Sequence, residues 1–154
     1  MAVVYPPFLH LADESAYRAR FEANYCAGPL LTFDGVSVRF RKKDFDHCFY
    51  ESPNRDKRKT KFSTFRSQRI DWIKLALEDT EAELYQGWDN DRQRYDPDRR
   101  VAVVHSNYVV IVLLTGDNKA NFMTCFVANT PESLKKIRMS PKWEVEEADG
   151  EEGE

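Results

Sequence analysis

Hydrophobic and polar positions follow two periods along this chain, and each change of period marks an element. Beyond Asp13, residues Ala16, Tyr17, Phe21 and Tyr25 fall on one helical face, with Asp13 as the cap and Gly28-Pro29 as the stop. Asp34-Gly35 signals a hairpin, after which Val36, Val38 and Phe40 alternate with Ser37, Arg39 and Arg41 as a half-buried strand. Phe45 to Ser52 is aromatic without a clean period, and Pro53 to Lys61 reads as a loop. From Phe62 or Ser63 to about Asp79, the stripe Ile70, Ile73, Ala76 and Leu77 predicts the main amphipathic helix, helped by Phe62, Phe65 and Trp72. Arg66 and Arg69, three apart, share one of its faces.

The C-terminal half changes to strand character. Glu83 to Trp88 reads as a short strand and Asp89 to Asp98 as a polar connection. Arg100 to His105, Tyr108 to Thr115 and Asn121 to Ala128 then predict a three-stranded antiparallel meander, with turns at Ser106-Asn107 and Gly116-Asp117-Asn118. Tyr108 to Leu114 is apolar on both faces, which suits a central strand. On the third strand, simple alternation puts Phe122, Thr124 and Phe126 on one face. Thr130 caps a short final helix with Pro131 in its first position and Leu134 and Ile137 as its apolar pair. The expectation is a single α+β domain over residues 1–143: an N-terminal helix and one main amphipathic helix on a mostly antiparallel sheet. Residues 144–154 form an acidic tail expected to be disordered.

Charge changes this picture in one respect. The formal net charge is −3 over 154 residues, but Glu144 to Glu154 holds seven acids and no base, so the rest of the chain is +4. Arg39 to Arg69 alone carries eleven basic and four acidic residues. A basic stretch in a weakly basic body is the footprint of a phosphate-bearing partner, although a run such as Asn54–Lys61 also suits a solvated loop. The first residues, Met-Ala-Val-Val-Tyr-Pro-Pro, lack a basic leader, and the longest apolar run is too short for a bilayer span. Three scattered cysteines suit reduced thiols, so a soluble cytoplasmic protein without a membrane partner is expected.

Common catalytic signatures are absent from the sequence: there is no glycine-rich phosphate loop, Gly-x-Ser-x-Gly or His-Glu-x-x-His, and neither a metal nor a cofactor is expected. What remains is cationic. His47 stands among aromatics, followed by the basic loop with Lys61 and then by Arg66 and Arg69, whose guanidinium groups can hold a phosphate. Thr124 sits between two phenylalanines. Tyr50, Tyr108 and Trp143 can stack a splayed base. Each also has an ordinary reading: a structural histidine, a helix-surface cation, a strand threonine, core aromatics.

The order Asp46-His47-Cys48-Phe49-Tyr50-Glu51-Ser52, Phe62-Ser63-x-x-Arg66-x-x-Arg69-Ile70-x-Trp72-Ile73, Gly87-Trp88, Asn107-Tyr108, Phe122-Met123-Thr124-Cys125-Phe126 and Ile137…Pro141-Lys142-Trp143 resembles the phage-associated barnase, EndoU, colicin-tRNase and RelE-like nuclease group, over about residues 30–143. The resemblance implies a small toxin-like endoribonuclease that cleaves RNA without metal, by attack of a 2′-OH on the adjacent phosphate. It gives His47 the role of general acid or base, Arg66 that of the helix cation and Thr124 that of the strand hydroxyl, with Lys61, Arg69, Tyr50, Tyr108 and Trp143 as substrate contacts. It implies RNA as partner and leaves room for a cognate inhibitor protein. No counterpart of the barnase glutamate base stands out, and a non-catalytic RNA- or protein-binding module of the same fold is the alternative.

Overall fold

The structure, a computed structural model, describes residues 4–51, 61–89 and 91–143. Most of the basic loop and the acidic tail expected from the sequence lie outside the described residues.

The first helix, α1 (Glu14–Phe21), starts where the Asp13 carboxylate accepts the Ala16 N–H at 2.9 Å. A wider helical turn over Glu22–Cys26 continues it, so Tyr17, Phe21 and Tyr25 are all buried. Strands β1 (Leu30–Leu31) and β2 (Ser37–Arg39) form the expected hairpin, with Gly35 at φ 85°, a conformation that excludes most side chains. The aromatic segment that follows is helix α2 (Lys43–Phe49), which buries Phe45, Cys48 and Phe49 at helical spacing. Short strands β3 (Tyr50–Glu51) and β4 (Lys61–Phe62) then pair antiparallel.

The main helix is broken into α3 (Thr64–Ser67) and α4 (Trp72–Glu78). The cause is a buried tyrosine. The Tyr25 hydroxyl donates to the Ile70 carbonyl at 2.6 Å and accepts the Lys74 N–H at 3.2 Å, and so takes the place of the bond that would join those two groups in a continuous helix. Just before it, Arg69, Ile70 and Trp72 each bond the carbonyl three residues back, which tightens the intervening turn. The apolar stripe survives: Ile70, Ile73, Ala76 and Leu77 are all buried.

Strands β5 (Glu83–Asp89), β6 (Arg94–His105), β7 (Tyr108–Gly116) and β8 (Lys119–Val127) make a four-stranded meander, and α5 (Pro131–Arg138) closes the fold. The six-stranded sheet runs β1-β2-β8-β7-β6-β5 and is antiparallel except for the parallel β2–β8 pair. The fold is therefore α+β, with β7 an interior strand as its two apolar faces require. The fourth strand arises because Asp89–Asp98 folds back as the arm of a long hairpin rather than as a plain connection. Asp89 Oδ1 accepts the N–H groups of Asp91 and Arg92, and Asp96 Oδ1 those of Asp98 and Arg99, so two carboxylates organise its turns. No helix among the described residues is long and apolar enough to cross a membrane.

The two faces of the sheet are covered unequally. On the inner face Val38, Val101, Val103, Tyr108, Val110, Val112, Phe122 and Cys125 pack with α1, α2 and α4 in one continuous cluster. The outer face holds a small second cluster, in which Tyr85, Ala102, Val104 and Val109 meet Leu134 and Ile137 of α5.

Candidate functional site

The site begins at an irregularity in β8. Val112 faces Phe122 and Ile111 faces Thr124, so Met123 is an extra residue with no partner on β7. This bulge overturns the simple alternation: Phe122 goes into the inner core, fully buried, while Thr124 and Phe126 emerge on the outer face. Beyond Arg39, β2 no longer pairs with β8, and α2 lies along the vacated edge instead. There the Cys125 N–H donates to Cys48 Sγ at 3.3 Å, and the Cys48 thiol in turn faces the Cys125 carbonyl at 3.6 Å. A helix thus covers a strand edge that would otherwise carry unpaired backbone groups. One residue before Cys48, His47 is exposed and reaches round to the outer face, where it lines the same cleft as Thr124.

The cleft has a volume of about 500 Å³. Its floor is apolar, made of Ala102, Val109, Ile111, Met123, Phe126 and Ile137. Its polar and aromatic groups are His47, Thr124, Arg100, Lys136, Ser140, Tyr95 and Trp88. Among the described residues, no carboxylate lines it. The nearby acids are engaged elsewhere: Asp46, beside His47 in sequence, pairs with Arg18 at 2.6 Å, and Arg18 also holds Glu14. Hydrogen bonds from Arg18 and then Tyr50 keep the Glu14 carboxyl below its ordinary pKa. On the far wall Trp88 and Tyr95 meet edge to face, with ring centroids 5.2 Å apart, and Ser140 Oγ donates to the Tyr95 hydroxyl at 3.3 Å. Arg138 anchors the end of α5 to Glu83 and to the Ser106 carbonyl.

Arg100 owes its place to a second irregularity. Gln86 pairs with Val101 but Gly87 pairs with Asp96, so residues 97–100 have no partner on β5. The stem of Arg100 crosses directly over Gly87: a Cβ there would stand 2.4 Å from Cγ and 2.8 Å from Cδ of the arginine. Its Nε is buried without a hydrogen-bond partner, and no carboxylate among the described residues pairs with it. Buried donors without a partner are uncommon in folded chains, which marks Arg100 out among the cations of the molecule.

Of the residues singled out from sequence, the structure brings His47 and Thr124 together and disperses the others. Arg66 does not line the cleft; its Nη1 donates to the Cys48 carbonyl at 3.1 Å, at the end of α2. Arg69 is buried against aromatic rings, 4.1 Å from the centroid of Phe8 and 4.4 Å from that of Phe65, and donates to the Phe65 carbonyl. Burial lowers its pKa, and the site is closed to a phosphate. Tyr108, expected to stack a base, lies in the inner core because its strand is buried on both faces. Trp143 packs against the inner cluster, its backbone N–H donating to the Leu84 carbonyl at 3.0 Å, and Tyr50 donates its hydroxyl to Glu14. Lys61 is exposed on β4, outside the cleft. Sequence reasoning missed Arg100, Lys136, Trp88 and Tyr95. For Lys136 there was a signal, since it precedes Ile137 on a helix already given an apolar face; for Arg100 there was none, because a bulge carries it.

No family model matches this chain, and no curated protein or solved structure is detectably similar to it.

Proposed function

We propose that the protein is an endoribonuclease whose outer-face cleft cleaves RNA by attack of a ribose 2′-OH on the adjacent phosphorus, with side chains alone supplying the chemistry. The observation that carries this reading is the meeting of His47, from α2, and Thr124, from the bulged β8, in one cleft whose described lining residues include two cations, Arg100 and Lys136, and no carboxylate. In the reaction the 2′ oxygen bonds to phosphorus, the bond to the 5′ oxygen breaks, and the products are a 2′,3′-cyclic phosphate and a free 5′-OH. One group takes the 2′ proton and another protonates the departing oxygen. His47 serves as one of these groups, since an imidazole exchanges protons near neutral pH. Lys136 and Arg100 offset the charge that grows on the non-bridging oxygens, and the Thr124 hydroxyl donates to one of them. The resemblance to the barnase and RelE-like nucleases supports the same reading for His47 and Thr124. The role it implied for the Arg66 cation passes to Arg100.

A second reading is favoured by one feature of the same walls: among the described residues that line the cleft, His47 is the one imidazole and no carboxylate is present as a second proton-transfer group. On that reading the cleft binds RNA and does not cut it. Incubating the protein with total RNA and a chelator, beside His47→Ala, separates the two. Cyclic phosphate ends that vanish in the variant support the nuclease; intact RNA held in a salt-sensitive complex leaves the binding module.

A further inference from the structure

The wall opposite His47 is built from the hairpin arm of β5 and β6, and its chemistry differs from that of the rest of the cleft. Trp88 leaves 46% of its surface exposed, although it is a large apolar side chain, and its neighbour Tyr95 braces it edge to face. Tyr95 is itself tethered by Ser140. A ring held edge-on by a second ring keeps one flat face available. Beside it, Arg100 is held over Gly87 with an unpartnered Nε. An exposed ring face next to an unspent guanidinium matches one ligand unit: a flat heteroaromatic base joined to a phosphate.

We infer that this arm selects single-stranded RNA, taking one unpaired base on Trp88 and the adjoining phosphate on Arg100. The inference rests on the ribonuclease reading of the cleft and names its substrate class. In a duplex every base is already stacked on both sides and its edges are paired, so no base face reaches Trp88 without unpairing; a loop, bulge or free end presents one at no such cost. Gly87 is a positioning residue in this scheme, because any Cβ at that place displaces the stem of Arg100.

The test uses the full chain and an oligoribonucleotide whose 2′ oxygens are methylated, so that binding is read without cleavage. Tryptophan fluorescence is titrated with the single strand and with the same sequence as a duplex, at several salt concentrations. The expected result is that the single strand binds at least about ten-fold more tightly than the duplex, and that Trp88→Ala weakens it by roughly 5- to 100-fold. Trp88→Phe, which keeps a ring, loses less. Arg100→Gln and Gly87→Ala each weaken binding and lower the salt slope by about 0.7, the signature of one lost phosphate contact on a single strand. Equal binding of duplex and single strand, or a Trp88→Ala protein that binds as tightly as the parent, overturns the inference. The two readings fail separately. If natural RNA is cut but Trp88 has no effect, the inference falls and the nuclease stands. If RNA is never cut while the methylated strand binds through Trp88, the inference stands and the reaction falls.

Discussion

The two faces of the sheet use the same alternation of side chains for opposite ends. On the inner face every strand contributes apolar groups to a cluster packed with α1, α2 and α4, and a polar atom that enters it can be spent internally, as when the Tyr25 hydroxyl bridges Ile70 and Lys74. On the outer face α5 covers part of the sheet through Leu134 and Ile137, and the uncovered part is a cleft lined by His47, Arg100, Lys136 and Trp88, where the Arg100 Nε has no hydrogen-bond partner among the described residues. Two arginines make the contrast concrete. Arg69 is buried among rings with its donors turned to backbone, whereas Arg100 keeps its head on a cleft and its Nε unpaired. A cation in sequence is a candidate phosphate ligand only if the fold leaves its donors unspent.

If the comparison holds, outer-face substitutions remove activity and spare the fold, and inner-face substitutions do the reverse. The largest effect is expected at His47. Its alanine variant loses about 10²- to 10⁴-fold in cleavage rate, measured on a fluorescent oligonucleotide, with the thermal midpoint of the parent, because the residue is exposed. Next, Phe122→Ala, which empties a fully buried position stacked on Phe40, costs about 3–5 kcal/mol in denaturant unfolding. A smaller loss, about 1–2 kcal/mol, follows Tyr25→Phe, since the hydroxyl that completes the break between α3 and α4 is removed from buried backbone groups. Tyr108→Phe sharpens the point from the other side: among the described residues its buried hydroxyl has no close hydrogen-bond partner beyond a weak contact with the Cys125 thiol, so its loss changes stability by less than about 0.5 kcal/mol or raises it. A variant at Phe122 that lost activity and kept its stability would break the division between the faces.

The smallest expected effect is a pH dependence at the anchor of α5. Hydrogen bonds from Tyr85 and then Arg138 hold the Glu83 carboxyl below its ordinary value. A depressed carboxyl contributes stability that is fully present above its unfolded-state pKa and is lost as pH falls through its lower folded value. Acidification below about pH 4.3 should therefore loosen α5 first, seen as faster amide exchange over residues 131–138, and Glu83→Gln should remove that pH response. The size is modest because the pair is partly solvated, with 41% of the Glu83 side chain exposed.

Much of the fold was legible where a local pattern and the tertiary packing agreed. The caps at Asp13 and Thr130, the hairpin at Asp34-Gly35 and the turn at Ser106-Asn107 depend on a few adjacent residues, and all stand where the pattern put them. Helix α2 was missed although Phe45, Cys48 and Phe49 carry helical spacing, because seven residues give barely two turns, too few to establish a period. The hairpin arm at Asp89–Asp98 was missed because its strands are polar and its order comes from two aspartates that satisfy turn N–H groups. Of the site, His47 and Thr124 were legible as residue types. Tyr108, Arg69 and Trp143 were read as ligand contacts but lie outside the cleft, since aromatic and cationic side chains suit a core, or a stack against other rings, as well as they suit a ligand.

By itself the sequence determined most of the helices and strands, three strands of the antiparallel meander, and the chemistry each side chain could offer, since periodicity, caps and turns are properties of neighbours along the chain. Tertiary structure alone decided which of them face the same space. Tyr25, 45 residues before Ile70, broke the main helix; Met123 turned Thr124 away from Phe122; and the stretch 97–100, without a partner on β5, laid Arg100 across Gly87. Each of these is set by contacts between distant segments, and one inserted residue in a strand reverses the face of everything beyond it.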